Sequence, residues 1–221
     1  MASPLIKAVI FDMDGVLIDS EPAWQLAEYQ TMRNQGLKIS YQDTLQTTGL
    51  RIDEVVSYWY QRFPWKDYDN RKTATEILNK VVQHILDDGT AMQGVFKALD
   101  FCEANGLKIG LATSSSQAII QAVLNKLEIG HYFSSIQSAE HLNRGKPHPE
   151  VYLNCIDDLE LSCSQCVAIE DSFNGLIAAR AANMQTIAIP APEQKNDQKW
   201  IIAHKQLDSL LELPEYLQDK F

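Results

Sequence analysis

Four short apolar runs along the chain each end on a polar or conformationally special residue. They are Ala8-Val9-Ile10-Phe11 before Asp12, Ile109-Gly110-Leu111-Ala112 before Thr113, Cys166-Val167-Ala168-Ile169 before Glu170, and Ile187-Ala188-Ile189 before Pro190. Runs this short and without alternation suit strands buried on both faces of a parallel sheet. A weaker fifth strand is read at Ser135 to Ser138. Between the runs the period becomes helical. Ile119, Ile120, Val123, Leu124 and Leu127 share one face of segment 117–128, and Val95, Ala98, Leu99 and Cys102 share one face of 94–105, with Gly106 as a stop. Asp171-Ser172 offers N-cap chemistry to a helix through Leu176, Ile177 and Arg180. Strand alternating with helix predicts an open α/β sheet.

One connection breaks the pattern. About 75 residues separate the first strand from the helix near Gly94, where two to six are usual. Their content is helical, over 21–35, 51–62 and 70–87, with Val55, Val56, Tyr58 and Trp59 on the middle helix and Ile77, Leu78, Val81, Val82 and Ile85 on the third. This predicts a core domain of residues 1–17 and 90–221 and a small all-helical domain of residues 18–89 mounted over the sheet, returning through a hinge at Asp87-Asp88-Gly89-Thr90.

Composition narrows the partners. The 221 residues carry a net charge of −10, which repels nucleic acid and anionic lipid, so neither is expected as a partner. No apolar run approaches the roughly 20 residues of a membrane span, and Ala8 to Phe11 is too short for a signal-peptide core. The protein is expected in the cytoplasm, as a monomer. Of the cysteines Cys102, Cys155, Cys163 and Cys166, the last two form a C-x-x-C that leads into a strand and has no second ligand pair, so packing is the expected role. An acidic surface would also repel a phosphorylated substrate, so a site for one must carry its own positive charge.

The strand ends carry groups suited to that. Asp12 follows the first strand directly, Asp14 can turn the same way, and Gly15 frees the turn. Thr113-Ser114-Ser115 ends another strand with hydroxyls and amides able to hold phosphate oxygens. Gly145-Lys146-Pro147 sets a lysine in a rigid turn, and Glu170-Asp171 adds two carboxylates. Each alone has a plain structural explanation as a cap or a solvated charge. Together, in this order, they resemble the haloacid dehalogenase superfamily: DMDG at Asp12 to Gly15, Thr113, Lys146 in GKPHPEVY, and EDS at Glu170 to Ser172. The helical insert has the place and size of that superfamily's small cap. Within it the chain is similar to the β-phosphoglucomutase-like branch, and Gly49 to Trp65 with IPAPEQKND near Pro190 resembles the bacterial hexitol and 2-deoxyglucose-6-phosphate phosphatases.

The resemblance implies a Rossmannoid parallel-sheet core with a helical cap inserted after the first strand, and a Mg2+-dependent phosphatase acting on small phosphorylated sugars or sugar alcohols. Mn2+ or Co2+ would be able to substitute. Asp12, the main-chain carbonyl of Asp14 and Asp171 would hold the metal, with Glu170 as a ligand or beside one. Oxygen donors and a few carboxylates suit magnesium on chemical grounds. Thr113 and Ser114 would grip phosphate oxygens, Lys146 would supply the positive charge, and Arg51 on the insert would contact substrate. Asp12 would attack phosphorus to give an aspartyl-phosphate. Asp14 would protonate the leaving alkoxide and then activate water, while the cap closes to exclude solvent.

A sugar-phosphate mutase of the β-phosphoglucomutase type is the nearest rival. Such mutases carry a cap histidine where this chain has Trp24, which has no basic site. A signalling receiver domain shares the phospho-accepting Asp, acidic pair, hydroxyl and Lys, but is about half this length and lacks the insert. A non-catalytic binding protein would not be expected to keep all four motifs.

Overall fold

The computed structural model describes residues 5–47, 50–218 and 220–221. Gly49, the first residue of the segment likened to hexitol phosphatases, lies outside them. Chain contacts divide the molecule into Met1–Asp19 with Thr90–Phe221, and Ser20–Gly89.

The first unit is built on one six-stranded parallel sheet. Its strands are β1 (Ala8–Phe11), β4 (Lys108–Thr113), β5 (Ser135–Ser138), β6 (Cys166–Glu170), β7 (Gln185–Ala188) and β8 (Lys205–Gln206), in the spatial order β5-β4-β1-β6-β7-β8. A two-stranded antiparallel pair, β2 (Ile18–Asp19) with β3 (Thr90–Ala91), joins the two ends of the chain where the insert leaves and returns. Strand β1 is central and wholly buried because it pairs on both sides, Phe11 standing level with Leu111 of β4 and Ile169 of β6. A strand covered in this way needs apolar residues at every position, which is the pattern its sequence carries.

The helices of this unit are α4 (Val95–Ala104), α5 (Gln117–Leu127), α6 (Glu150–Asp158), α7 (Phe173–Ala181) and α8 (Leu213–Leu217). Helix α6 is not among the predicted elements. It packs Val151, Tyr152, Cys155 and Ile156 against Ala8, Ile10, Ala112 and Ala168, together with Ala178 and Ala179 of α7. Small residues on the sheet make room for this contact. A Cβ on Gly110 would stand 2.6 Å from the Cys155 sulfur, so α6 sits as close as it does because β4 has no side chain there. All four cysteines are free thiols; Cys166 is buried in β6 and Cys163 half-buried before it.

The second unit contains α1 (Glu21–Asn34), α2 (Ile52–Arg62) and α3 (Asn70–Asp88). Its core takes Val55, Val56 and Trp59 from α2 and Ile77, Val81 and Ile85 from α3, the periodic positions of the sequence. Buried Glu28 accepts hydrogen bonds from Thr47 and from the Trp59 indole, and burial raises its carboxyl above the usual range. No helix among the described residues is long and apolar enough to cross a membrane.

Candidate active site

The C-terminal ends of β1, β4 and β6 lie side by side, and the polar residue that follows or ends each strand is delivered to one edge of the sheet. That edge is where open α/β sheets bind ligands. Asp12 prolongs β1, its amide donating to Ile169 O at 3.0 Å, and only 7% of it is exposed. The chain then turns on Met13, whose carbonyl accepts from Leu17 at 2.8 Å and Ile18 at 3.2 Å. Gly15 makes the turn with φ of 74°, in the left-handed region. It answers a second demand as well: a Cβ there would lie 2.0 Å from Asp171 Oδ2. The glycine of the D-x-D-G motif thus leaves the space that the second acidic motif fills.

Lys146 holds the cluster together. Its ammonium donates to Asp12 Oδ1 at 2.7 Å, Glu170 Oε1 at 2.7 Å and the Ala112 carbonyl at 2.9 Å, touching the ends of all three strands. Glu170 is fully buried and also accepts from the Tyr152 hydroxyl and, through Oε2, from the Ser172 hydroxyl at 3.0 Å. The Ser172 oxygen in turn accepts from the Gly175 amide and caps α7. A side chain at Gly175 would strike Glu170 at 1.9 Å, so α7 starts with a gap shaped to the carboxylate.

At the end of β4, Thr113 is buried and its hydroxyl oxygen accepts from the Ser115 amide at 3.0 Å. Ser115 donates from its own hydroxyl to Asp14 Oδ2 at 2.6 Å, while Ser138 of β5 donates to the Ser115 carbonyl at 2.6 Å. Ser114 between them is exposed. The structure therefore gathers Asp12, Asp14, Thr113, Lys146, Glu170 and Asp171 around neighbouring strand ends. Arg51 belongs to the helical unit. There it stands at the N-cap of α2, its side chain 62% exposed and its guanidinium paired with Asp53 at 3.1 Å.

Two side chains were not singled out from the sequence. Ser115 lies inside the Thr113-Ser114-Ser115 run, but its bond to Asp14 spans a separation that no local pattern reveals. Tyr152 lies within GKPHPEVY, and only the unpredicted helix α6 turns it toward Glu170.

Negative charge exceeds positive here, and the titration of the groups reflects it. Burial pushes the Asp12 carboxyl up to about 7, helped by the charges of Glu170 and Asp14 and opposed by Lys146. Burial also raises Asp171 well above the usual carboxylate range, with Asp12 and Glu170 adding to it. Burial alone would lower the Lys146 ammonium, but the charges of Asp12 and Glu170 outweigh it and hold it above its ordinary value, so it stays protonated. Carboxylates crowded in this way call for a cation. Asp12, Glu170 and Asp171 each offer an oxygen, all within 4.8 Å of one another, a donor set that fits magnesium. Both Glu170 oxygens already serve protein donors, which leaves Asp12 and Asp171 as the freer pair.

Comparison with known proteins identifies the family of the chain. The family described as "Haloacid dehalogenase-like hydrolase" matches residues 9–189. The chain is 42% identical to hexitol phosphatase B of Escherichia coli (strain K12) over 209 residues, 94% of each protein. It is 30% identical to a fructose-1-phosphate phosphatase of the same strain over 184 residues, 82% of this chain and 95% of that one. Among solved structures, a β-phosphoglucomutase from Clostridium difficile superposes with a TM-score of 0.80 at 28% identity, covering 98% of this chain and 97% of its own.

Proposed function

The chain belongs to the haloacid dehalogenase-like hydrolases, and from that premise we propose that this phosphoric monoester hydrolase is a magnesium-dependent phosphatase of small sugar or sugar-alcohol phosphates, with Asp12 as nucleophile. One observation carries the reading: the Asp12 carboxylate lies at the end of β1 against the Lys146 ammonium, with Glu170 and Asp171 within reach of a shared cation. The substrate class rests on the hexitol and fructose-1-phosphate phosphatases among its relatives.

In this reading Asp12 attacks the phosphorus in line and the leaving oxygen departs with a proton from Asp14. Ser115 Oγ, donating to Asp14 Oδ2 at 2.6 Å, fixes that carboxyl for the transfer. Asp14 then takes a proton from the water that hydrolyses the aspartyl-phosphate. Lys146 balances charge on Asp12 and on the phosphoryl oxygens, and Thr113 and Ser114 hold those oxygens. Asp12 and Asp171, with the main-chain carbonyl of Asp14, would hold magnesium, and Glu170 would hold Lys146. Bound there, the ion would neutralise phosphoryl charge and keep Asp12 ionised. Arg51 and the helical unit would act on the sugar end. A monomeric enzyme in the cytoplasm completes the proposal.

The test is a phosphate-release screen across phosphorylated metabolites, with magnesium and with chelator, beside Asp12→Asn. Hexose or hexitol phosphates should be among the best substrates, and acid quench of a brief reaction should leave label on Asp12. Label on serine or histidine, or an active Asp12→Asn protein, overturns the proposal.

A further inference from the structure

Lys146 has three ammonium hydrogens, and its partners Asp12 Oδ1, Glu170 Oε1 and the Ala112 carbonyl use all of them. The charge is therefore divided between a carboxylate placed to react and a buried one that is not. How it divides depends on how far other donors satisfy Glu170. On Oε2 that donor is Ser172, which is committed to capping α7 as well. On Oε1, the oxygen that holds Lys146, it is the hydroxyl of Tyr152. The Tyr152 side chain is fully buried, and its ring centroid lies 5.0 Å from the Lys146 nitrogen.

We propose that Tyr152 is a positioning residue that sets the division of the Lys146 charge: by donating to Glu170 Oε1 it weakens that oxygen's hold on the ammonium and leaves more of it for Asp12 and the phosphoryl group. This deepens the phosphatase reading and rests on it. A carboxylate oxygen that accepts a second hydrogen bond has less charge to offer the first donor, and in a buried network such sharing is not diluted by water. The ring face attracts the ammonium whether or not the hydroxyl is present. Tyr152→Phe therefore keeps the volume and the ring contact and removes the hydroxyl alone.

The experiment measures inorganic phosphate binding by calorimetry in magnesium buffer, with kcat/KM for a hexose phosphate and a nitrophenyl phosphate alongside. Tyr152→Phe should weaken phosphate about three- to tenfold, less than the full worth of a hydrogen bond to a charged group because the hydroxyl acts on phosphate only through Glu170 and Lys146. It should lower kcat/KM by a similar factor for both substrates, because the effect lies at the phosphoryl end that they share. Tyr152→3-fluorotyrosine, whose more acidic hydroxyl donates more strongly at nearly unchanged volume, should tighten phosphate. A hydroxyl that served only to satisfy itself in the core would lower the melting temperature and leave phosphate affinity alone. Wild-type affinity and kcat/KM in Tyr152→Phe, or a fluorotyrosine protein that fails to tighten, overturns the proposal; the second criterion decides if the Phe variant does not fold. Should wild type release no phosphate from any ester yet bind phosphate more tightly than Tyr152→Phe, the phosphatase reading fails and the role of Tyr152 stands.

Discussion

Replacing Asp12 by Asn should abolish turnover and, without metal, make the protein more stable. The carboxyl of Asp12 is raised from 3.8 to about 7 in the folded protein, burial being the largest cause. Between those values the folded state binds a proton that the unfolded chain has released, so the free energy of unfolding falls as pH rises from about 4 to about 7 and then levels. At about 1.4 kcal/mol for each tenfold change in proton affinity, the ionised carboxylate costs the fold up to about 4 kcal/mol at pH 8. Asn carries no charge and escapes that cost. It keeps one oxygen able to accept from Lys146, but it brings an amide N–H₂ into a site where Lys146 is already a donor, so the net gain should be about 1–3 kcal/mol. In a chain of this size that raises the melting temperature by about 3–10 °C. The assay is thermal melting in chelator at about pH 8 and about pH 4. The variant should melt higher at the first, and its advantage should be gone at the second, where the folded wild type is protonated and the unfolded chain is near its own midpoint, so that little electrostatic cost is left to escape. Magnesium should reverse the order at pH 8 by stabilising wild type through a ligand that the variant lacks. A variant that melts lower than wild type in chelator at pH 8, or a difference independent of pH, refutes the electrostatic account.

Asp14→Asn should cost on the order of 10²–10⁴ in kcat for a sugar phosphate and less for a nitrophenyl phosphate, whose leaving group needs no proton; equal losses would leave Asp14 without a role in proton transfer. Gly15→Ala would bring its methyl against Asp171 at 2.0 Å, and the half-activating magnesium concentration should rise about tenfold or more, as expected for lost ligand support. Asp171→Ala should do the same, and a Gly15→Ala protein with unchanged magnesium dependence would mean that Asp171 does not serve the metal. With glucose 1-phosphate or a hexitol phosphate, product analysis should find inorganic phosphate and free sugar in equal amounts, and Arg51→Ala should lower kcat/KM for sugar phosphates far more than for nitrophenyl phosphate. Conversion of glucose 1-phosphate to glucose 6-phosphate with little free phosphate would establish a mutase instead.

The parts of the fold that could be read from sequence are those where burial leaves a local trace. Strands β1, β4 and β6 are covered on both faces, so their runs are continuously apolar and end where the polar site begins. The helices of the insert show their stripes for the same reason. Helix α6 was illegible because its buried positions include Tyr152 and Cys155 and it follows an N-cap Pro149, straight after the turn that holds Lys146. Strand β7 begins at Gln185, ahead of the apolar run at Ile187, because backbone pairing with Val167 of β6 decides the boundary. Strand β8 has two exposed residues, Lys205 and Gln206, and so nothing to signal it. At the site, Asp12, Lys146 and Asp171 stand at motif positions, whereas the contacts of Ser115 with Asp14 and of Tyr152 with Glu170 join elements far apart in the chain. Such contacts follow from the sheet order β4-β1-β6, which the sequence does not spell out.

The charge balance links the acidity of the chain to the order in which its ligands can bind. Among the described residues, Lys146 makes the ion pairs recorded for Asp12 and Glu170, while Asp14 and Asp171 add further negative charge nearby. One ammonium cannot balance these groups and a phosphate ester too. With Asp12 raised to about 7, a substantial fraction of the protein at neutral pH holds its proposed nucleophile protonated until a cation offsets the surplus. A phosphate dianion brought to the bare site would raise that fraction further, through repulsion from the same carboxylates. Cation and phosphate must therefore favour each other's binding, and by linkage the coupling is equal in both directions. In the proposed reading the nucleophile reaches its reactive charge state fully only when both are in place.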